Sequence, residues 1–198
     1  MGYSRAGFDV VGVDIEAQPL YPFEHHIGDA LGFLEANGHE FDAVHGSPPC
    51  QKFITGGLVK GRADRPDLLT PMREIMIKLG KPWIIENVPG APMRADAMLC
   101  GSMFGLTLRR HRLFETSFGP VLTPSCNHRG KVCGVYGHMH GKRGGWVNAK
   151  GVSTMMPSTL ENWRTSIGAP WMDAAGLAQS IPPDYTEFMG RALLRSMA

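Results

Sequence analysis

Cysteine is scarce in this sequence, long apolar runs are missing, and charge is on the low side. The four cysteines, Cys50, Cys100, Cys126 and Cys133, are too few and too scattered through 198 residues for a disulfide framework. That excludes the small disulfide-stapled class, and a free thiol at Cys50 points to a reducing compartment such as the cytoplasm. No apolar stretch comes near the roughly 20 residues that cross a bilayer, so no membrane role is expected. The first residues carry one arginine and then acids, without the apolar segment or cleavage pattern of a signal peptide. Charged residues make up 19% and apolar ones 43%, the proportions of a folded chain and not of a disordered one. The length fits one domain, or one with a small appendage, and a monomer is expected.

What charge there is sits unevenly. Residues 1–99 hold 9 Lys and Arg against 13 Asp and Glu, a net of −4, while residues 100–198 hold 11 against 5, a net of +6. Between Arg109 and Lys150 eight basic residues meet one acid, Glu115. A polyanion-binding segment leaves such a footprint, and so does a solvated basic loop.

Hydrophobic patterning predicts short strands alternating with helices, an α/β fold. Residues 1–8 read as the last turns of a helix ended by Gly7, and residues 9–15 as a buried strand with Asp14 at its tip. Tyr21-Pro22-Phe23 is an aromatic turn; Asp29 is a good N-cap for a helix that stops at Asn37-Gly38. A second strand is expected over 41–44, and a mobile, glycine-rich and basic loop that closes over a substrate over 53–65. Residues 67–79 form a helix with Met72, Ile75, Met76 and Leu79 toward the core, followed by a strand over 83–85. Further strands are expected over 97–100 and 106–115, with Arg110 and Arg112 on one side of the latter. From 116 to 162 the texture turns to Gly, Pro, His and Lys without heptads or repeats; helical patterning returns over 160–167, 172–179 and 185–197.

Three stretches carry chemistry-bearing groups. The strand over 41–44 empties through His45 and Gly46 into Ser47-Pro48-Pro49-Cys50-Gln51. Ligands of open α/β sheets bind beyond such strand ends, and two prolines fix φ ahead of Cys50, so the backbone sets the direction of the thiol. The next apolar strand delivers Glu86-Asn87-Val88-Pro89-Gly90, and the third stretch is Arg109-Arg110-His111-Arg112.

In that order, these stretches resemble the DNA cytosine-5 methyltransferase family, in the compact form found in phage genomes. The Pro-Cys-Gln loop and the Glu-Asn-Val stretch together are the specific part. The likeness runs from residue 1 to about 115 and resumes around 180–193. It implies a Rossmann-like, class I S-adenosylmethionine-dependent sheet with helices on both faces, its first strand missing, plus a short irregular target-recognition segment. On this reading 1–115 is the catalytic core, 116–162 a small basic DNA-recognition segment, and 163–198 the C-terminal helices returning to the core. The implied activity is methyl transfer from S-adenosylmethionine to carbon 5 of a cytosine flipped out of DNA, in the cytoplasm of a host cell.

Carbon 5 of cytosine is a poor nucleophile until a thiolate adds at C6, the step assigned to Cys50. A helix start after Gln51, or Arg110 and Arg112 nearby, would favour the thiolate. Glu86 would donate a proton toward N3 if burial beside Ile85 and Val88 keeps it protonated, with Asn87 orienting the loop. The resemblance gives Arg112 the cytosine O2 or the flipped phosphate and Arg110 a supporting phosphate contact. Gln51, Arg109, Lys142 and Arg143 are expected on DNA. For the cofactor it implies Asp14 on the ribose hydroxyls with Ile15 beside it, Asp29 on the adenine amino group with Ala30, then Pro48 and Gly190.

The chain departs from the family in three places. Leu108 stands where the Gln-x-Arg-x-Arg motif has glutamine, and Arg191 where Phe188-Met189-Gly190-Arg191 should have asparagine. The family's first strand and its Phe-x-Gly-x-Gly loop would precede Met1, so the reading frame is expected to extend upstream and the chain as numbered to bind the cofactor weakly. Two alternatives stay open: an impaired remnant that binds DNA without methylating it, and a methyltransferase acting on a free cytosine nucleotide. No metal is assigned, because the spacing Cys-x-His-x4-Cys matches no common zinc pattern. If zinc bound, Cys126, His128, Cys133 and His138 would be its ligands.

Overall fold

The computed structural model describes residues 1–53, 64–135, 137 and 154–198. In order they form α1 (Gly2–Ala6), β1 (Val11–Asp14), β2 (Glu24–Ile27), α2 (Ala30–Asn37), β3 (Val44–Gly46), α3 (Leu69–Leu79), β4 (Trp83–Asn87), β5 (Ala97–Leu99), β6 (Arg112–Thr116), α4 (Leu160–Ile167), α5 (Ala174–Gln179) and α6 (Pro183–Met197). The fold is mixed α/β. Most of the loop expected over 53–65 lies outside the described residues, as do His138, His140, Lys142 and Arg143. No helix among the described residues is long and apolar enough to cross a membrane.

Chain contacts divide the molecule into two compact units. One comprises Met1–Asp9, Leu99–Arg110 and Pro124–Gly190; the other comprises Val10–Met98, His111–Thr123 and Arg191–Ala198. Each is assembled from separate stretches, so the division cuts across the segments anticipated at 115 and 162.

The unit containing Val10–Met98 is built on strands. β1 pairs in parallel with β2, Asp14 opposite Ile27. β3 pairs in parallel with β4, Val44 opposite Trp83 and Gly46 opposite Ile85, and β6 runs antiparallel on the other side of β4. The four-stranded order is β3-β4-β6-β5, and β1-β2 stands as a separate sheet. A missing first strand implies a gap between the strands that carry Asp14 and Cys50, and among the described residues β1 and β3 stand in separate sheets. Among the described residues no strand bonds the second edge of β1 or of β3. β3 also starts where the strand expected over 41–44 ends: Gly38–Glu40 coils into a 3-10 turn, and β4 offers its first partner, Trp83, only at Val44.

Local chemistry sets the helices of this unit. Asp29 caps α2 by accepting from Gly32 N at 2.8 Å. Asp67 accepts from Leu69 N at 2.9 Å and Thr70 Oγ1 at 2.8 Å at the start of α3, which Gly80 ends at φ 65°. The expected stripe of α3 turns inward, with Met72 and Met76 buried among Leu34, Leu69, Trp83, Ile85 and Ala91. Complete burial of one such side chain stabilises by about 1.5–3 kcal/mol. α3 approaches β3 at Gly46, where a Cβ would lie 2.2 Å from Met72 Sδ, so a larger residue at the base of the Cys50 loop displaces the Met72 and Met76 side chains.

A buried charge network closes the same unit. Glu115 on β6 accepts from Arg73 Nε at 3.0 Å and Nη2 at 2.8 Å, and from Arg94 N at 3.1 Å, while Arg94 Nη1 lies 3.3 Å away. Arg94 also donates to Asp96 and to the carbonyl of Thr116. α3, the 92–96 loop and β6 are thus tied by one carboxylate.

The other unit is mainly helical. Leu108, Cys133, Val135, Trp163, Ile167, Ala169 and Leu177 form its core. Thr159 caps α4 and Asp173 caps α5, at 3.1 and 2.8 Å from the amides of Asn162 and Gly176. α1 ends at Gly7, φ 108°, as expected, and crosses α6 closely: a Cβ on Gly2 would sit 2.1 Å from the Pro183 carbonyl, and one on Gly190 2.9 Å from Ala6 and Tyr3. The strand expected over 106–115 begins only at Arg112, because β4 ends at Asn87 opposite Leu113, and Leu108 turns into the helical core.

Candidate active site

Parallel pairing brings the ends of β3 and β4 to the same edge, so the loops that follow them emerge side by side. After β3 come His45, Gly46 and the 47–51 loop, with Pro48 buried, Pro49 exposed and Cys50 half-buried. Cys50 opens a single 3-10 turn, Cys50–Lys52, and most of the stretch in which a helix start after Gln51 was expected lies outside the described residues. The last two residues of β4 are Glu86 and Asn87, both buried. Asn87 bonds backbone on both sides: its Nδ2 donates to the Pro48 carbonyl at 3.0 Å, and its Oδ1 accepts from Val88 N at 2.8 Å. A buried amide therefore links the two loops and sets the backbone two residues ahead of Cys50.

Glu86 lies opposite Phe114 in the β4–β6 ladder, which puts Arg112 on its diagonal. Arg112 Nε sits 2.8 Å from Glu86 Oε1, and Arg112 Nη1 donates to the His111 carbonyl at 2.9 Å. Burial alone favours the neutral acid expected at Glu86, whereas a guanidinium at this distance favours the carboxylate. Arg112, expected on the base or its phosphate, thus stands as the partner of Glu86. Gln51 accepts from Arg65 through its side-chain oxygen.

His45 donates to or accepts from Ser47 Oγ at 2.9 Å. Burial lowers its imidazole from the usual 6.5 to about 4. The unfolded chain takes up this proton as pH falls below about 6.5 and the folded chain resists until about 4, so the associated stability is complete above 6.5 and declines between those values. A full shift of that size corresponds to about 3 kcal/mol, and partial solvent access to the half-buried ring brings it nearer 1–2 kcal/mol. Urea unfolding at pH 7.5 and 4.5 should show that loss, and His45→Gln should flatten it. An unchanged slope in the variant would place the acid sensitivity elsewhere.

No protein-family model matches the chain, and no curated protein is significantly similar to it. The site is thus judged on its own geometry. Asp14 lies at the tip of β1, where its Oδ1 accepts from Glu16 N at 2.9 Å, and the neighbouring Ile15 is 76% exposed. A carboxylate beside an open apolar side chain suits a nucleoside, as hydroxyl acceptor and ring support. Asp29 and Ala30 form the capped start of α2, with Asp29 Oδ2 engaged by Gly32. Tyr21, from the aromatic turn, covers β1 at Gly12, where a Cβ would meet its ring at 2.7 Å. At Asp29 the cap already occupies one carboxylate oxygen.

Three sequence-assigned residues have structural work in the helical unit. Arg110 is buried, and its guanidinium donates to the carbonyls of Val135, Ser180, Ala178 (3.2 Å) and Leu177 (3.4 Å). It precedes β6 and does not share a strand face with Arg112, so it is a tie between segments and not a phosphate contact. Arg109 donates to the carbonyls of His128 and Gly130 (3.4 Å). Gly190 is a helix-packing position inside α6, not a cofactor loop. Glu115 and Arg73 were not singled out beforehand; an acid in a basic stretch, Glu115, was the available signal.

Proposed function

We propose that this chain is a DNA cytosine C5 methyltransferase of Rossmann-like architecture. The observation that carries the reading is the pairing of two strand-end loops, Pro48-Pro49-Cys50-Gln51 and Glu86-Asn87, joined by the buried Asn87–Pro48 hydrogen bond. A free thiol lies just past β3, and at the end of the neighbouring β4 Glu86 pairs with Arg112, the first residue of β6; these are the groups that ring activation of cytosine requires.

S-adenosylmethionine, held through Asp14 and Ile15 on this reading, supplies the methyl group. Cys50 adds as thiolate to C6 of a flipped cytosine, which makes C5 nucleophilic. Glu86, charged against Arg112, accepts from the exocyclic amino group; as density moves onto the ring it relays a proton from water to N3. Arg112 steadies Glu86 through both states. After methylation water takes the C5 proton, Cys50 leaves as thiolate and N3 returns its proton through Glu86, restoring the aromatic ring. The basic run from Arg109 to Lys150 supports DNA as the partner, with the protein acting as a monomer in the cytoplasm.

A second reading, a DNA-binding remnant without turnover, draws on the separation of the β1–β2 sheet, which bears Asp14, from the sheet that leads to Cys50. Incubation with S-adenosylmethionine and duplex DNA containing 5-fluorocytosine separates the two, because fluorine cannot leave as a proton does and traps the covalent adduct. The enzyme gives an adduct that withstands denaturing electrophoresis, and Cys50→Ser gives none while keeping its far-UV spectrum. DNA binding without adduct would support the remnant. Adduct in Cys50→Ser would overturn the assignment of the nucleophile, and adduct on a free 5-fluorocytosine nucleotide would shift the substrate.

A further inference from the structure

We propose that Cys100, Cys126 and His128 bind a zinc ion that staples the 124–131 segment to the end of β5. The site lies within the helical unit and is independent of the methyltransferase reading. Two thiol sulfurs and one imidazole belong to a group whose ligand atoms all lie within 4.8 Å of one another. Cys100 Sγ and His128 Nε2 are 3.4 Å apart. Tetrahedral zinc, with Zn–S and Zn–N bonds of about 2.3 and 2.0 Å, spaces its sulfur and nitrogen ligands about 3.5 Å apart and two sulfurs about 3.8 Å apart. The observed spacing needs only small side-chain adjustments to reach that geometry.

The backbone around the three groups is already held in place. Cys100 is buried at the end of β5 and opens the turn Gly101–Phe104. Ser102 Oγ bridges the two sides, 3.3 Å from Cys100 Sγ and accepting from Asn127 N at 3.1 Å. Arg109 grips the carbonyls of His128 and Gly130, the latter at φ 80°. Between β6 and Val132 the chain has no helix or strand, and most of its side chains from Pro124 to Lys131 are exposed. Little apolar burial fixes that stretch, a setting in which a metal contributes folding energy directly. Thiolate with imidazole selects zinc over magnesium or calcium, which prefer oxygen ligands. The set differs from that expected on sequence. Cys133 points to the Asn162 carbonyl at 3.7 Å, and Cys100, remote in sequence, takes a place among the ligands.

The test uses the full chain purified with reductant and no added chelator. One equivalent of zinc by elemental analysis is expected, exchangeable for cobalt(II) with visible d–d bands and a near-ultraviolet thiolate charge-transfer band. Cys126→Ser and His128→Ala, at half-buried and exposed positions, should weaken zinc binding at least tenfold while leaving far-UV ellipticity intact. Cys133→Ser should retain it. Absence of both zinc and the cobalt bands would overturn the proposal, as would undiminished binding in Cys126→Ser and His128→Ala together. Loss of two hydrogens in the intact mass of the reduced-handled protein, mapped to Cys100 and Cys126, would replace the zinc site with a disulfide.

Discussion

Arg73→Met should lower the unfolding free energy by about 3 kcal/mol, and Arg94→Met by about 1 kcal/mol or less. Both side chains pair with Glu115, so the difference comes from what each deletion leaves behind. Glu115 is buried, with 2% of its side chain exposed, and Arg73 meets it through two parallel donors. Removing that fork leaves a buried carboxylate with an incomplete partner set. Arg94 is 58% exposed and its backbone N–H still reaches Glu115 after truncation, so water replaces much of what is lost. Urea denaturation of the three proteins at equal slope would measure both losses. Equal effects, or a larger one at Arg94, would mean that Glu115 is held mainly by the 92–96 loop.

Arg110→Lys should destabilise nearly as much as Arg110→Met, by about 3–5 kcal/mol. Four carbonyls from two segments converge on one planar guanidinium, and an ammonium cannot point donors at all of them. A buried acceptor left without a partner loses about 1–3 kcal/mol each, reduced where side chains relax. A phosphate contact would behave in the opposite way: lysine would restore it, and the salt dependence of DNA binding would change while stability did not. Thermal unfolding of both variants, read beside their DNA affinity at two salt concentrations, distinguishes the roles. Rescue of stability by lysine would count against the tie described here.

The features legible from sequence are those decided within a few residues. Gly7 and Asp29 mark helix ends because one left-handed glycine or one carboxylate over a free N–H settles each. The core stripe of α3 follows from helical period. The bond from Asn87 to Pro48 joins residues 39 positions apart, so the sequence offered no sign of it. Strand limits were misjudged where the partner decides them. Residues 41–43 precede an apolar strand position but face no described strand, and alternation over 108–114 could not reveal that β4 stops at Asn87. Arg110 and Arg112 look alike in the sequence. One reaches carbonyls of residues 135 and 177–180 and the other a carboxylate on β4, distinctions that depend wholly on long-range contacts. Cys100 was invisible as a partner of Cys126 and His128 for the same reason.

The interleaving of the two units bears on the order of events during synthesis. α1 packs on Pro183–Gly190, and the 99–110 stretch packs on residues 133–177, Tyr185 and Phe188. At about 5–20 residues per second, α1 waits roughly 10–40 s after leaving the ribosome before its partner exists. Throughout that interval Tyr3 and Phe8, which meet edge to face, have no larger surface to cover them. A helix as short as Gly2–Ala6 is not stable alone, so this part of the chain remains a ready target for chaperones or proteases until the last helix arrives. Slowing translation over residues 150–190 should therefore lower the yield of folded protein more than slowing it over residues 20–60.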